Sequence, residues 1–265
     1  VCPYDCPDTC GLLVEVIDDK AVKVSGDPEH PFTRGTLCVK MNHYEKTVHS
    51  PLRLIHPLLR TGVKGSGQFR PIPWEEAIPQ IADRWRKIIN QYGAQAILPY
   101  SYAGTMGLIQ RNAGHPFFYR LGASCLDRTI CAPAKEVGWK TVMGNTAAPH
   151  PDEVAESDLV ILWGINAVAT NIHFLHGVRK AKGKGATVWL IETYETRTSA
   201  VADQTFLVRP GSDGALALGL MHLLVREGLV DRDFLTAHGQ GFEELKKEIL
   251  SDRAPAPSTP SLLND

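Results

Sequence analysis

Residues 159–166 read Leu159-Val-Ile-Leu-Trp-Gly-Ile-Asn166, and this short apolar run closed by a glycine sets the fold class. A second run of the same kind, Thr187-Val-Trp-Leu-Ile191, follows after a helical pattern. Apolar runs of this length, bounded by turn residues and alternating with helices, are typical of strands in a parallel sheet. The sequence therefore predicts an α/β fold with a doubly wound, mainly parallel sheet.

The same alternation continues outward from these two strands. Two further strands are predicted at 96–100 and 205–208, and helices near 77–89, 105–121, 133–143, 171–182 and 213–227. Near the amino terminus, residues 12–17 and 21–24 flank Asp18-Asp19 and predict a β-hairpin.

Residues 58–73 are rich in glycine and proline, which is the composition of a connector rather than of an element. We therefore expect a small domain over 1–57, in front of an α/β domain over 58–250. Residues 251–265 lack periodicity and contain three prolines, so we expect a disordered tail.

Composition excludes several classes of protein. The chain of 265 residues has 28 Lys and Arg against 29 Asp and Glu, a net charge of -1, and shows no basic stripe for nucleic acid. No apolar run approaches the roughly 18 residues that span a bilayer, so we expect a soluble protein without membrane insertion. The chain begins Val1-Cys2 and carries no targeting segment, which favours the cytoplasm and leaves the periplasm open.

Four of the six cysteines, Cys2, Cys6, Cys10 and Cys38, have the spacing C-x3-C-x3-C-x27-C. Structural zinc usually takes its ligands as two separate pairs, so three thiolates from one loop and a fourth from elsewhere fit zinc poorly. This pattern suits a cubane [4Fe-4S] cluster. A zinc site and four independent buried or disulfide-paired cysteines remain as alternatives.

These residues resemble a known family. Val1-Cys-Pro-Tyr-Asp-Cys-Pro-Asp-Thr-Cys10, Gly26-Asp-Pro28, His30-Pro31 and Gly35-Thr-Leu-Cys-Val-Lys40 are similar to the amino-terminal half of molybdopterin oxidoreductases of the dimethyl sulfoxide reductase and formate dehydrogenase type. The resemblance extends to about residue 250. Many members have two residues in the first gap of the cysteine motif, whereas this chain has three.

The resemblance implies a [4Fe-4S] cluster, a molybdenum or tungsten ion, and a pair of molybdopterin guanine dinucleotides. It implies that Lys40 lies between the cluster and a pterin, where an ammonium would offset two anionic cofactors. It also implies a metal ligand just before a helix, and Cys131 is the candidate. Counting without gaps from Arg128 places the ligand on Ile130, so this assignment needs a shift of one residue. Cys125, and Cys131 in the alternative reading, would be small buried hydrophobic residues.

Three predicted strand ends carry loops suited to a dinucleotide. The first loop contains Gly164 and Asn166, where a glycine lets a diphosphate approach the backbone. The second loop contains Glu192, which can accept hydrogen bonds from ribose hydroxyls, and Arg197, which can offset phosphate charge, together with Thr193 and Tyr194. The third loop contains Gly211, Ser212 and Asp213, and Asp213 can accept hydrogen bonds from guanine. Each loop alone also fits an ordinary helix start or strand end.

Other cofactor motifs are missing from the sequence. Neither G-x-G-x-x-G after a strand nor G-x4-G-K-[ST] occurs, so no motif indicates that the chain binds NAD or ATP in the ordinary way. His173 and His176 are three residues apart on a helical pattern, and we expect a partly exposed helix face rather than a metal site.

The sequence therefore predicts the amino-terminal part of a molybdenum or tungsten oxidoreductase. It would act on a small molecule by two-electron redox or oxygen-atom transfer, with electrons relayed through the cluster to a redox partner protein or a further iron-sulfur subunit. The alternative is a non-catalytic iron-sulfur electron-transfer module, or a fragment without a complete molybdenum site.

Overall fold

The computed structural model of the chain describes residues 1–102, 104, 107–130, 132–145 and 148–251. The chain forms two compact units, residues 1–148 and 149–265. The boundary expected after residue 57 lies inside the first unit and stays a prediction.

The first unit combines two small antiparallel sheets with helices. Its elements are β1 (Leu12–Ile17), β2 (Lys20–Gly26), α1 (Tyr44–Val48), β3 (Leu58–Arg60), β4 (Phe69–Pro71), α2 (Trp74–Tyr92), α3 (His115–Leu121) and α4 (Pro133–Met143).

The predicted hairpin is confirmed. Strands β1 and β2 pair antiparallel from Leu12 opposite Gly26 to Ile17 opposite Lys20. Asp18 and Asp19 both have left-handed backbone angles, with φ of 48° and 58°. Consecutive left-handed residues make the tight turn whose twist matches that of the two strands, and aspartate tolerates this conformation.

Two of the predicted helices in this unit are confirmed. Helix α2 stops at Gly93, whose φ is 85°, and helix α4 covers the predicted residues 133–143. A third prediction, 105–121, is wrong over residues 107–114, because the helix begins only at His115; residues 105 and 106 lie outside the described residues. The chain ahead of it turns at Asn112, whose φ of 62° does not fit a right-handed helix.

The predicted connector is wrong, since residues 58–73 contain the antiparallel pair β3 and β4. The glycines that suggested a connector belong to the loop between these strands, at positions 62, 65 and 67.

The predicted strand at 96–100 is also absent from the described part of the chain. Residues 94–96 form a short 3-10 helix, after which Ile97 has an extended backbone. The Ile97 carbonyl accepts a hydrogen bond from Ser124 N at 3.0 Å, but no ladder of strand pairing follows. Leu98 and Tyr100 are 50% and 67% exposed. Because this apolar run has no neighbouring strand to pair with among the described residues, it does not form part of a sheet.

The second unit is built on a parallel sheet. Its elements are β5 (Leu159–Trp163), α5 (Ala167–Thr170), α6 (Phe174–Gly183), β6 (Thr187–Glu192), β7 (Gln204–Leu207), α7 (Asp213–Arg226), α8 (Arg232–His238) and α9 (Phe242–Ile249). The strand order is β5-β6-β7, and both pairings are parallel. The predicted α/β fold with a parallel sheet is therefore confirmed.

The core of this unit lies between the sheet and α6. Val188 and Leu190 of β6 and Leu175 and Val178 of α6 are fully buried. Burial of these side chains fixes which face of the sheet is covered, and parallel pairing brings the carboxyl ends of all three strands to one edge.

None of the helices in the described part of the chain is both long and apolar enough to cross a membrane. The expected tail lies outside the described residues from position 252 onward.

Candidate functional site

The cysteine-rich segment folds into a loop that closes on itself. Cys2 N donates a hydrogen bond to the Cys10 carbonyl at 2.8 Å, and Cys6 N donates to the Tyr4 carbonyl at 2.9 Å. Gly11, next to Cys10, accepts from Asp27 N at 3.0 Å, which fastens the loop to the residue that follows the hairpin.

Cys38 returns to this loop through a tightly packed turn. A Cβ atom on Gly26, at the end of β2, would lie only 2.4 Å from the carbonyl oxygen of Gly35. Only glycine therefore allows the chain segment before Cys38 to pass so close to the hairpin. Tyr4 of the cysteine loop also packs edge-on against Tyr44 of α1, with ring centroids 5.9 Å apart.

The thiols of the motif affect one another's ionisation. Burial, followed by the charges of Cys2 and Asp8, raises the pKa of the Cys10 thiol to about 11. Burial also raises the pKa of Cys6, and the charges of Asp8 and Cys38 add to this effect. All four cysteines of the spacing therefore share one electrostatic neighbourhood. Because clusters and metals bind thiolates, assembly of a cluster here must release protons.

The four thiols fit an iron-sulfur cluster by their donor type. Within the described ranges, no three His, Cys, Asp or Glu side chains converge closely enough to hold a single metal ion. A cubane places each thiolate on a different iron atom, so its ligands stand further apart than the four ligands of one zinc ion.

Lys40 lies in a turn that directly follows Cys38. Met41 N and Asn42 N both donate to the Cys38 carbonyl at 3.0 Å. Met41 is buried to 1% exposure, whereas Lys40 is exposed. The buried methionine anchors the turn, and the lysine is presented beside the last cysteine of the motif.

The candidate metal ligand Cys131 lies outside the described residues. The chain just ahead of it is held in place by two neighbours: Ile130 N donates to the Tyr102 hydroxyl at 2.7 Å, and Arg128 Nε donates to the Ser101 carbonyl at 3.0 Å. Cys125, expected to be buried, is exposed, because it lies in a loop rather than in the core.

In the second unit, the loop after β5 and the loop after β6, at the carboxyl ends of these strands, are joined through one threonine. Thr198 Oγ1 donates to Asn166 Oδ1 at 3.1 Å and accepts from Val168 N at 3.3 Å. Thr198 is fully buried, so this pair of hydrogen bonds is shielded from water.

The first and third loops are joined by an indole. Trp163 Nε1, at the end of β5, donates to Asp213 Oδ1 at 2.8 Å across 50 residues of sequence. Gly164 and Gly211 beside these residues have φ of 61° and 83°, and a Cβ on either would meet nothing within 4 Å. Open space next to backbone at a strand end is the surface on which a diphosphate can lie.

The remaining residues of these loops differ in exposure. Glu192 is buried to 8% exposure, and its carboxylate accepts from Thr193 N at 3.1 Å. Tyr194 is 61% exposed, and Arg197 is exposed at the start of a short 3-10 helix. Ser212 Oγ donates to the Arg209 carbonyl at 2.6 Å. These residues therefore give the edge a buried acid, an exposed cation and an exposed aromatic ring.

The expectation of a partly exposed face at His173 and His176 is half wrong. His173 is buried to 2% exposure, whereas His176 is exposed, and their ring centroids are 6.4 Å apart. His173 immediately precedes the buried start of α6, so its ring is covered although a helical pattern alone did not indicate this.

Comparison with known proteins extends these observations. The family model "Molybdopterin oxidoreductase" matches residues 53–249, and the model "Molybdopterin oxidoreductase Fe4S4 domain" matches residues 1–50. The chain belongs to the molybdopterin oxidoreductases. This membership indicates that the chain binds molybdopterin and an Fe4S4 cluster, and molybdenum or tungsten is consistent with the family.

Curated relatives agree with the family match. The chain is 46% identical over 250 residues to the probable oxidoreductase YoaE of Bacillus subtilis, covering 94% of this chain and 37% of the relative. It is 27% identical over 258 residues to a probable dimethyl sulfoxide reductase chain, YnfF, of Escherichia coli, covering 92% and 32%. The chain thus spans about a third of the length of the relatives that it matches.

A solved structure supports the fold. Acetylene hydratase from Pelobacter acetylenicus matches with a TM-score of 0.67 and 24% identity, over 94% of this chain and 34% of that protein.

Several contacts were not predicted from the sequence. Asp8, between Cys6 and Cys10, is buried to 5% exposure, and the link between Trp163 and Asp213 joins residues with no motif in common. The position of Asp8 inside a cysteine-rich loop could have indicated a role for this acid. The contact between Trp163 and Asp213 depends on how the strands pair, which no local sequence pattern specifies.

Proposed function

We propose that this chain supplies the cluster-binding and dinucleotide-binding part of a molybdenum or tungsten enzyme. The enzyme would carry out two-electron redox or oxygen-atom transfer on a small molecule. The observation that carries this proposal is the joining of three strand-end loops by the Trp163–Asp213 and Asn166–Thr198 hydrogen bonds. In a parallel sheet, such an edge is where nucleotides bind.

The residues of the sheet edge would divide the dinucleotide between them. Gly164 and Gly211 leave open backbone for the diphosphate, and Arg197 offers an exposed guanidinium to its charge. Asp213 would accept hydrogen bonds from guanine, while the Trp163 indole holds its carboxylate in orientation. Glu192 would accept from ribose hydroxyls. Thr193, Tyr194, Asn166 and Ser212 would complete the walls.

In the first unit, Cys2, Cys6, Cys10 and Cys38 would hold a [4Fe-4S] cluster, and Lys40 would place a positive charge beside it. The ammonium would lower the electrostatic cost of bringing an anionic pterin near an anionic cluster. Cys131 would bind molybdenum or tungsten.

When bound, the metal cofactor supplies the redox chemistry, and the protein supplies binding, orientation and electrostatics. In this proposal the enzyme binds two molybdopterin guanine dinucleotides. Electrons then pass to a redox partner protein or a further iron-sulfur subunit.

Metal and nucleotide analysis tests this function. The purified protein is denatured, and molybdenum, tungsten, iron and released guanine nucleotide are measured. Iron together with molybdenum or tungsten and guanine nucleotide supports the enzyme. Iron without the other metals or nucleotide contradicts it and supports a non-catalytic electron-transfer module.

Two variants with the same change separate the sheet edge from a general effect of charge. Asp213 and Asp233 both lie in the first turn of a helix of the second unit, α7 and α8 respectively. Asp213→Asn should lower the guanine nucleotide retained per chain, whereas Asp233→Asn should leave it unchanged. Equal retention in the two variants contradicts the role of Asp213.

A further inference from the structure

Asp8 lies inside the cysteine loop, between Cys6 and Cys10. Asp8 and Cys10 are both buried to 5% exposure, whereas Thr9 between them is exposed. Burying a carboxylate is costly, because the charged group loses its contact with water. A small apolar residue at this position would avoid that cost, so the carboxylate indicates a role at the thiols that surround it.

The backbone at Thr9 holds Asp8 in this buried position. Thr9 has a φ of 45°, in the left-handed region, which is unusual for a β-branched residue. Such a conformation persists where the surrounding structure over-determines it, and these positions cluster at functional sites. Here it accompanies a turn in which the residues on both sides of Thr9 are buried. The hydrogen bond from Cys2 N to the Cys10 carbonyl at 2.8 Å closes the loop around them.

Asp8 acts on thiols on both sides of it in the loop. Its main-chain N–H and its carboxylate both form hydrogen bonds with Cys6. Burial is the largest cause of the raised pKa values of Cys6 and Cys10, and the charge of Asp8 is a further cause of both. The carboxylate therefore lies close to two of the four cysteines of the spacing.

A negative charge in this place has a definite effect on a bound cluster. Reduction adds an electron to a cluster that already carries four thiolate ligands, and a nearby carboxylate repels the added charge. Salt screens this repulsion little when the carboxylate is buried. The charge that disfavours an ionised thiol therefore also disfavours the reduced form of the cluster.

We propose that the Asp8 carboxylate is a tuning residue that lowers the reduction potential of the [4Fe-4S] cluster held by this loop. A lower potential makes the reduced cluster a stronger electron donor, which favours onward transfer of electrons to an acceptor. The inference rests on the proposed cluster site and adds to it a residue that is not a ligand of iron.

A redox titration of the anaerobically purified protein, followed by electron paramagnetic resonance of the reduced cluster, tests the proposal. Asp8→Asn removes the charge and keeps the size of the side chain, so the midpoint potential should rise. Asp5→Asn is the same change at an exposed aspartate of the same loop, and its rise should be much smaller, because water and ions screen an exposed charge. Asp8→Glu keeps the charge, so its potential should stay close to that of the wild type.

An Asp8→Asn potential that is unchanged, or that rises no more than in Asp5→Asn, overturns the proposal. Asp8→Ser covers the case in which Asp8→Asn does not retain iron, and the same rise is expected. Loss of the cluster from both neutral variants also overturns the proposal, because Asp8 would then be needed to hold the cluster rather than to tune it.

Iron and labile sulfide in the wild type separate this inference from the proposed function. A wild-type protein without a cluster contradicts the proposed cluster site, and the role of Asp8 falls with it. A wild-type cluster together with an unshifted Asp8→Asn potential contradicts the role of Asp8 alone.

Discussion

The cysteine loop and the sheet edge are built by different structural means. In the loop, three of the four cysteines lie within ten residues, and a hydrogen bond from Cys2 to Cys10 closes it locally. At the sheet edge, Trp163 and Asp213 are 50 residues apart and meet because parallel strands end together. Sequence spacing therefore encodes the first site, whereas topology encodes the second. Replacing a cysteine should therefore impair the loop, whereas replacing a residue that packs the sheet should impair the sheet edge.

The largest effect is expected at the cysteine loop. Cys38→Ser removes the one thiol that arrives from outside the loop, so the protein should lose most of its iron. Cys125→Ser, the same change outside the spacing, should keep wild-type iron content. Iron and labile sulfide per chain, measured after anaerobic purification, check this prediction. Equal iron in the two variants would show that Cys38 is not a ligand.

The next effect concerns the packing that builds the sheet edge. Leu190 of β6 is fully buried between the sheet and α6, so Leu190→Ala should lower the free energy of unfolding of the second unit by about 2–5 kcal/mol. Leu159→Ala on the neighbouring strand β5, at a side chain 46% exposed, should cost clearly less. Denaturant unfolding followed by circular dichroism compares the two. Similar losses would mean that the sheet core is not where the structure shows it.

A smaller effect is expected for the link between two edge loops. Trp163→Phe keeps an aromatic ring and removes the indole donor to Asp213, which should cost about 1 kcal/mol of stability and lower guanine nucleotide retention. Trp189→Phe provides the control, because Trp189 lies on β6 and packs edge-on against Phe206. Nucleotide released on denaturation is the readout. Retention that falls equally in both variants would assign the effect to ring size rather than to the hydrogen bond.

The smallest effect is a pH dependence at the opposite end of the same sheet. Asp203 accepts from Lys182 Nζ at 2.7 Å and from Val188 N at 2.8 Å, and these bonds lower the pKa of its carboxyl group. A lowered carboxyl pKa stabilises the fold above the ordinary value of about 4, and this contribution disappears as pH falls through the lowered value.

Asp203→Asn should therefore be less stable than the wild type at neutral pH, and the difference should shrink below about pH 4. Asp158→Asn, at an exposed aspartate just before β5, should show no such narrowing. Thermal unfolding at a series of pH values measures the difference. A difference that stays constant across the acid range would contradict the ion pair with Lys182.

The elements that could be predicted from sequence are those with a strong local pattern. The Asp18-Asp19 turn, the helix that stops at Gly93 and the runs at 159–163 and 187–191 were predicted correctly because turn chemistry and apolar periodicity specify them locally. The run at 96–100, Ala-Ile-Leu-Pro-Tyr, is also mainly apolar but forms no strand. A strand requires a neighbour to pair with, and composition does not say whether one is present.

The candidate site divides in the same way. The cysteine spacing and the glycines at strand ends are visible in the sequence, but the contacts that organise them are not. Thr198 and Asn166, or Arg128 and Asn112, meet across loops whose conformations depend on tertiary structure. His173 was expected on a partly exposed helix face but is buried, because periodicity does not indicate which residue at a helix start is covered.

Iron and sulfide content of the wild-type protein tests the central claim most directly, namely that Cys2, Cys6, Cys10 and Cys38 together hold a cubane cluster. Anaerobically purified protein should contain about four iron and about four labile sulfide per chain, and should absorb visible light through sulfur-to-iron charge transfer. Stoichiometric zinc, without sulfide and without visible absorbance, would contradict the account.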